Sequence, residues 1–297
     1  MLVRDLREAL RWSIPSALTM SALLSGLSAV RFASEADFDA SVVCIVTAAV
    51  LDGLDGHVAR YLGSCSKLGF ELDSLCDLAN FGVTPALVVY FWAKALPATE
   101  CRSDNCRLDN MWLWAACCVY TGCCAFRLAR FNVAGHAEEM DRQYLAAQPG
   151  SRRPPVKKAV LHNFRQRKLY FRGVPAPVAA AYALTPLMLH FCAEPLGAAA
   201  WALRRRGAAG ALALTAVLMV SPLPTFSSKM LKTDRDDTHL QSRNPLSLTA
   251  KLVFGVLLGG LFWRHPFGVV LACNLVHLAS IPVALAAFCL IGTDKSD

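Results

Sequence analysis

Eight apolar stretches, most of them about 20 residues or longer, limit what this 297-residue chain can fold into. They lie near residues 13–32, 38–61, 70–96, 110–131, 174–195, 198–221, 249–264 and 267–291. The core of the first, Ile14 to Val30, holds no charged residue. In hydrocarbon the backbone must satisfy its own N–H and C=O groups, so only helices and closed barrels cross a bilayer. These runs are too long for barrel strands, which need about 9–11 residues. The expectation is an all-α polytopic membrane protein. A hydrophobic fraction of 55% and a mean hydropathy of +0.39 suit that class better than a pair of soluble domains. Arg4, Arg7 and Arg11 ahead of the first run give it the look of a signal anchor, read here as a retained helix.

The net charge of +8 is no nucleic-acid signature in this setting, because the basic residues gather between the apolar blocks. With the N-terminus inside, segments 61–69, 132–173, 222–248 and the C-terminus are inside too. Counting the inner helix ends, about 22 of the 30 basic residues then face that side. Arg204, Arg205 and Arg206 conflict with this topology, since they start the sixth stretch on the outer side. Segment 132–173 is long and basic, and Pro149, Pro154 and Pro155 break any helix through its middle. It reads equally as a surface for anionic headgroups or as a solvated loop. The twelve cysteines form no disulfide framework, since most lie in apolar blocks. Cys101 and Cys106 flank a polar loop and could pair if that loop faces an oxidising compartment.

Against this apolar background stand four aspartates within 26 residues: Asp52, Asp55, Asp73 and Asp77. Ionisable groups in membrane segments usually mark function. Asp52 and Asp55 are three apart, and Asp73 and Asp77 four apart, so each pair shares one helix face. The first pair comes late in the second stretch and the second pair early in the third. Both pairs therefore meet at the inner membrane boundary, where only bound cations make such charge density tolerable. Carboxylate oxygens suit Mg²⁺ or Mn²⁺, and two such ions can clamp a phosphoryl displacement. Gly53 and Gly56 let a phosphate or a neighbouring helix approach the backbone. Arg60, one turn past Gly56, is placed to contact a phosphate oxygen. His57 and Glu71 read as lining or outward-facing residues.

The arrangement Asp52-Gly53-x-Asp55-Gly56-x2-Ala59-Arg60-x8-Gly69-x3-Asp73-x3-Asp77 resembles the signature of the CDP-alcohol phosphatidyltransferase family. Asn80-Phe81-Gly82-Val83-Thr84-Pro85-Ala86, Phe126-Arg127-Leu128-Ala129-Arg130-Phe131-Asn132, Gly173-Val174-Pro175-Ala176-Pro177 and Pro222-Leu223-Pro224-Thr225-Phe226-Ser227-Ser228-Lys229 resemble its phosphatidylserine synthase branch. The resemblance covers roughly residues 12–232; segment 132–173 is longer than the family pattern. It implies a six-helix catalytic core in residues 1–232; the last two apolar stretches add about two further transmembrane helices in 233–297.

The implied reaction moves a phosphatidyl group from CDP-diacylglycerol to the hydroxyl of L-serine, releasing CMP. Asp52, Asp55, Asp73 and Asp77 become divalent-metal ligands, Asp77 also the general base, and Gly53, Gly56 and Arg60 face the CDP group. Arg127 and Arg130, three apart near the inner end of the fourth stretch, are candidates for the serine carboxylate or a lipid phosphate, with Lys229 behind them. Asn80 either binds cytosine or substrate, or satisfies a helix carbonyl. Direct displacement is expected, because the signature offers no obvious covalent nucleophile. A homodimer is implied, with the site on the cytoplasmic face of a bacterial inner membrane rather than the endoplasmic reticulum. A sister transferase using glycerol 3-phosphate, inositol phosphate or another alcohol shares the same aspartates. A cation transporter is the remote alternative, weakened by the absence of an evident internal repeat.

Overall fold

The computed structural model describes the backbone of residues 2–64, 66–95, 103–147, 170–192, 202–226, 260–262 and 264–293. Helices account for nearly all of it: α1 (Leu2–Ser34), α2 (Phe38–Leu62), α3 (Lys67–Asp77), α4 (Thr84–Ala95), α5 (Ser103–Ala147), α6 (Ala176–Ala183), α7 (Thr185–Cys192), α8 (Ala202–Val220) and α9 (Pro266–Thr293). A π-helical turn, Leu78–Val83, joins α3 to α4 without a break. Two three-residue strands, β1 (Tyr170–Arg172) and β2 (Pro224–Phe226), pair antiparallel with Phe171 opposite Thr225.

The chain divides into two compact units, Met1–Asn132 with Ala176–Met219, and Val133–Pro175 with Val220–Asp297. Among the described residues the first unit contains six helical spans: α1, α2, the α3–α4 rod, the first part of α5, the α6–α7 pair, and α8. Among the described residues four stretches are long and apolar enough to cross a membrane: Ser13–Ser34, Phe38–Leu62, Lys67–Ala95 and Arg107–Val133. The chain is therefore an all-α polytopic membrane protein. In the second unit β2 packs on α9, and Gly173, at φ 78, donates its N–H to Leu223 O at 2.9 Å beside the strand pair.

Packing in the first unit follows membrane logic. The buried residues of α1 and α2 include the small Ala22, Ala29, Ala33 and Ala48. Close approach lets hydroxyls bond across: Ser25 Oγ donates to Cys44 O at 2.8 Å and Ser41 Oγ to Ala29 O at 2.9 Å. Large apolar side chains such as Leu24, Leu27, Trp112, Val119 and Phe126 are exposed, as lipid-facing residues should be.

Three features depart from the sequence expectations. The fourth helix was expected to stop near residue 131, yet α5 runs on to Ala147. Hydropathy ends at the membrane, but no proline follows until Pro149, so helix propensity carries the chain further. The fifth stretch is two helices meeting at Leu184, where Pro186 offers no N–H to the preceding turn. Arg206, the last of the three awkward arginines, pairs with Asp109 at the start of α5, Nε to Oδ1 at 3.2 Å. Most of the seventh stretch, Cys101 and Lys229 lie outside the described residues, as does the middle of segment 132–173, and the side chain of Cys106 is likewise not described.

Candidate functional site

The site begins with a tight reversal between α2 and α3. Gly63 ends α2 in the left-handed region, at φ 62, a conformation that glycine adopts without strain. Ser64 N–H closes the motif on Ala59 O at 2.9 Å. Arg11 of α1 donates its Nε–H to Leu62 O at 2.6 Å and so satisfies one of the free carbonyls of the helix end. Ser66 then caps α3, its Oγ accepting from Gly69 N at 2.9 Å. Gly69 has no room to spare, since a Cβ there would stand 3.1 Å from that Oγ.

The reversal brings the acidic faces together. Asp52, Asp55 and Asp73 each offer an oxygen, and these oxygens lie within 4.8 Å of one another. Asp77 completes the group through direct contact between its carboxyl and that of Asp52. Asp55 is buried, 4% exposed, and Thr19 of α1 donates its hydroxyl to Asp55 Oδ2 at 2.5 Å. One oxygen each of Asp52 and Asp77 is buried with no hydrogen-bond partner. Buried carboxylate oxygens without donors are costly, and hard cations are ligated by such oxygens. The donor set therefore fits a bound divalent cation.

The flanking residues divide clearly. Arg60, Gly56, Asp55 and Asp73 line a cavity of about 190 Å³, together with Thr19 and Ser64. Arg60 lies over Gly56, where a Cβ would be 3.5 Å from its Nη1. Ser64 is buried and its hydroxyl has no partner. Gly53 lies off this cavity and is exposed, and a Cβ there would meet open space. Arg127 of α5 is close enough to Asp77 for their charges to interact, and its Nε is buried without a partner. Arg130 is exposed on the same helix, near Arg127.

His57 turns away from the acids and places Nδ1 2.7 Å from Gly53 O. Glu71 is exposed but engaged: Asn132 Nδ2 donates to its Oε2 at 3.4 Å while Ser74 Oγ donates to Asn132 Oδ1 at 3.0 Å. With Phe70 stacked on Phe131 (centroids 6.4 Å apart), this ties α3 to α5. Asn80 is 1% exposed, and neither polar atom of its side chain has a partner.

Thr19 and Ser64 escaped the sequence reading. Thr19 carried a faint signal, a hydroxyl inside the uncharged Ile14–Val30 run. Ser64 carried none beyond its place in the turn.

Comparison with known proteins agrees with this geometry. The profile of the CDP-alcohol phosphatidyltransferase family matches residues 12–221. A CDP-diacylglycerol–serine O-phosphatidyltransferase of Mycobacterium leprae is 44% identical over 119 residues, 40% of this chain and 35% of that protein. The Mycobacterium bovis protein of that name is 37% identical over 169 residues, 56% of this chain and 46% of the relative. One from Bacillus subtilis is 32% identical over 120 residues, covering 40% and 61% of the two chains. The alignments thus span a third to a half of the mycobacterial relatives' own lengths. The matched region contains Asp52, Asp55, Asp73 and Asp77 and the two helices that carry them, and the chain belongs to the CDP-alcohol phosphatidyltransferase family.

Proposed function

We propose that this protein transfers the phosphatidyl group of CDP-diacylglycerol to the hydroxyl of L-serine, giving phosphatidylserine and CMP. The observation that carries the reading is the convergence of Asp52, Asp55 and Asp73, with Asp77 against Asp52, beside a cavity holding Arg60. The names of the relatives support serine as the acceptor.

Asp52, Asp55, Asp73 and Asp77 would hold Mg²⁺ or Mn²⁺, as two ions in this reading. When bound, the metal supplies positive charge to the pyrophosphate oxygens and to the departing phosphate. Asp77 takes the proton of the serine hydroxyl. The serine oxygen bonds to the phosphorus that bears diacylglycerol, the bond from that phosphorus to the bridging oxygen breaks, and CMP leaves with the bond's electron pair. No covalent enzyme intermediate forms. Arg60 contacts the nucleotide phosphates, and Gly53 and Gly56 admit the CDP group to the backbone. Arg127 receives the serine carboxylate, and Arg130, in the exposed position, a lipid phosphate. Residues 1–232 form the catalytic domain and 233–297 a C-terminal helix pair. The site faces the cytoplasm from a bacterial inner membrane, and the working form is a homodimer.

The test is CMP release by the purified full-length protein in lipid nanodiscs. Serine should drive release from CDP-diacylglycerol, and glycerol 3-phosphate should not. Release with glycerol 3-phosphate alone would overturn the acceptor assignment, and a trapped phosphatidyl–protein adduct would overturn direct displacement.

A further inference from the structure

Pro85 stands at the second residue of α4, inside a helix that is continuous from α3. Proline within a helix offers no N–H and crowds the carbonyl four residues back, which is that of Phe81. Here the helix opens into the π segment Leu78–Val83, and the N–H of Thr84 reaches five residues back to Ala79 O. Tyr120 of α5 takes the place of the missing donor. Its side chain is 0% exposed, and its hydroxyl donates to Phe81 O at 2.7 Å. Thr121, next on α5, donates to Gly82 O at 3.2 Å. On the α1 side, Gly26 leaves room for the Asn80 side chain, because a Cβ there would fall 2.1 Å from Asn80 Oδ1.

Asp77 is the residue immediately before this segment, and Asp73 precedes it by one turn. Whatever sets the segment's geometry therefore sets the direction of two of the four carboxylates. Relaxing the π turn to α geometry would rotate α3 against α4 by about 100°, the angle one residue subtends in an α-helix. That rotation would carry Asp77 off the face it shares with Asp52. Segments of π-helix within α-helices are often found at functional sites.

We propose that Tyr120 is a positioning residue for the acidic site: by holding the Phe81 carbonyl it keeps the π turn open and so aims Asp77 at Asp52. The inference rests on the metal-holding reading of the aspartates given above. Tyr120 acts through the backbone and touches no reactant.

Tyr120→Phe removes only the hydroxyl. In full-length protein in nanodiscs, kcat for CMP release should fall about tenfold and Mn²⁺ affinity, read by electron paramagnetic resonance without nucleotide, by a similar factor, as for other outer supports of metal ligands. KM for both substrates should change less than about twofold, since no binding contact is lost. Pro85→Ala returns an N–H to the position four residues after Phe81. In that background Tyr120→Phe should alter Mn²⁺ affinity by less than about twofold, because the carbonyl has its own donor. Unchanged Mn²⁺ affinity in Tyr120→Phe, or an equal loss in both backgrounds, overturns the proposal. Wild-type protein that binds Mn²⁺ but releases no CMP refutes the transferase reading and leaves the Mn²⁺ comparison to decide the role of Tyr120. Wild-type protein that binds no Mn²⁺ overturns both.

Discussion

Thr19→Val removes a hydroxyl at the heart of the site, one that sits against Asp55 Oδ2 and, at 3.0 Å, against Pro15 O of its own helix. The substitution keeps shape and volume and removes the hydroxyl that donates to Asp55 Oδ2 at 2.5 Å. Thr19 is 5% exposed and Asp55 4%, so the bond is largely screened from bulk solvent. A hydrogen bond to a charged group contributes about 1.5–3 kcal/mol. If that bond holds Asp55 in its ligating orientation, its loss converts, at 1.4 kcal/mol per decade, to about a ten- to hundredfold weaker hold on the cation. The assay is CMP release at saturating CDP-diacylglycerol and serine while free Mg²⁺ is varied. Half-maximal Mg²⁺ should rise by that factor, and the rate at saturating Mg²⁺ should stay within about twofold, because a saturating cation restores the ligated site. Thr19→Ser should restore the wild-type curve. A Thr19→Val curve that overlays wild type, or a Thr19→Ser curve as displaced as that of Thr19→Val, refutes the argument.

Gly26→Ala drives a methyl group into Asn80 Oδ1. Overpacking of this kind costs about 1–3 kcal/mol, so the thermal midpoint in detergent should drop by several degrees, and Asn80→Ala in the same chain should recover part of the loss. An unchanged midpoint in Gly26→Ala contradicts the packing described. Arg127→Lys keeps the charge and loses the fork that suits a carboxylate. KM for serine should rise about tenfold while KM for CDP-diacylglycerol moves less than twofold; a change confined to the lipid substrate would reassign Arg127.

The first four membrane spans and the four aspartates were legible in the sequence because both rest on one-dimensional physics. Apolar length reports hydrocarbon thickness, and spacings of three and four report a helix face. What stayed hidden depends on partners far away in the chain. Arg206 looked misplaced until Asp109, 97 residues earlier, was found beside it. Glu71 looked idle until Asn132 came to it across 61 residues. The 70–96 stretch read as one unbroken span, and nothing local says that it holds a π turn before Pro85, or that Tyr120 supplies the donor. The reach of α5 to Ala147 escaped for another reason: hydropathy reports where the membrane ends, not where the helix does.

The central claim is that the aspartates around Asp52 work by holding divalent metal. Chelation tests it most directly. Protein treated with EDTA and freed of metal should release no CMP from CDP-diacylglycerol and serine, and added Mg²⁺ or Mn²⁺ should restore release in wild type but not in Asp73→Asn. Full turnover after chelation, or full restoration in Asp73→Asn, would contradict it.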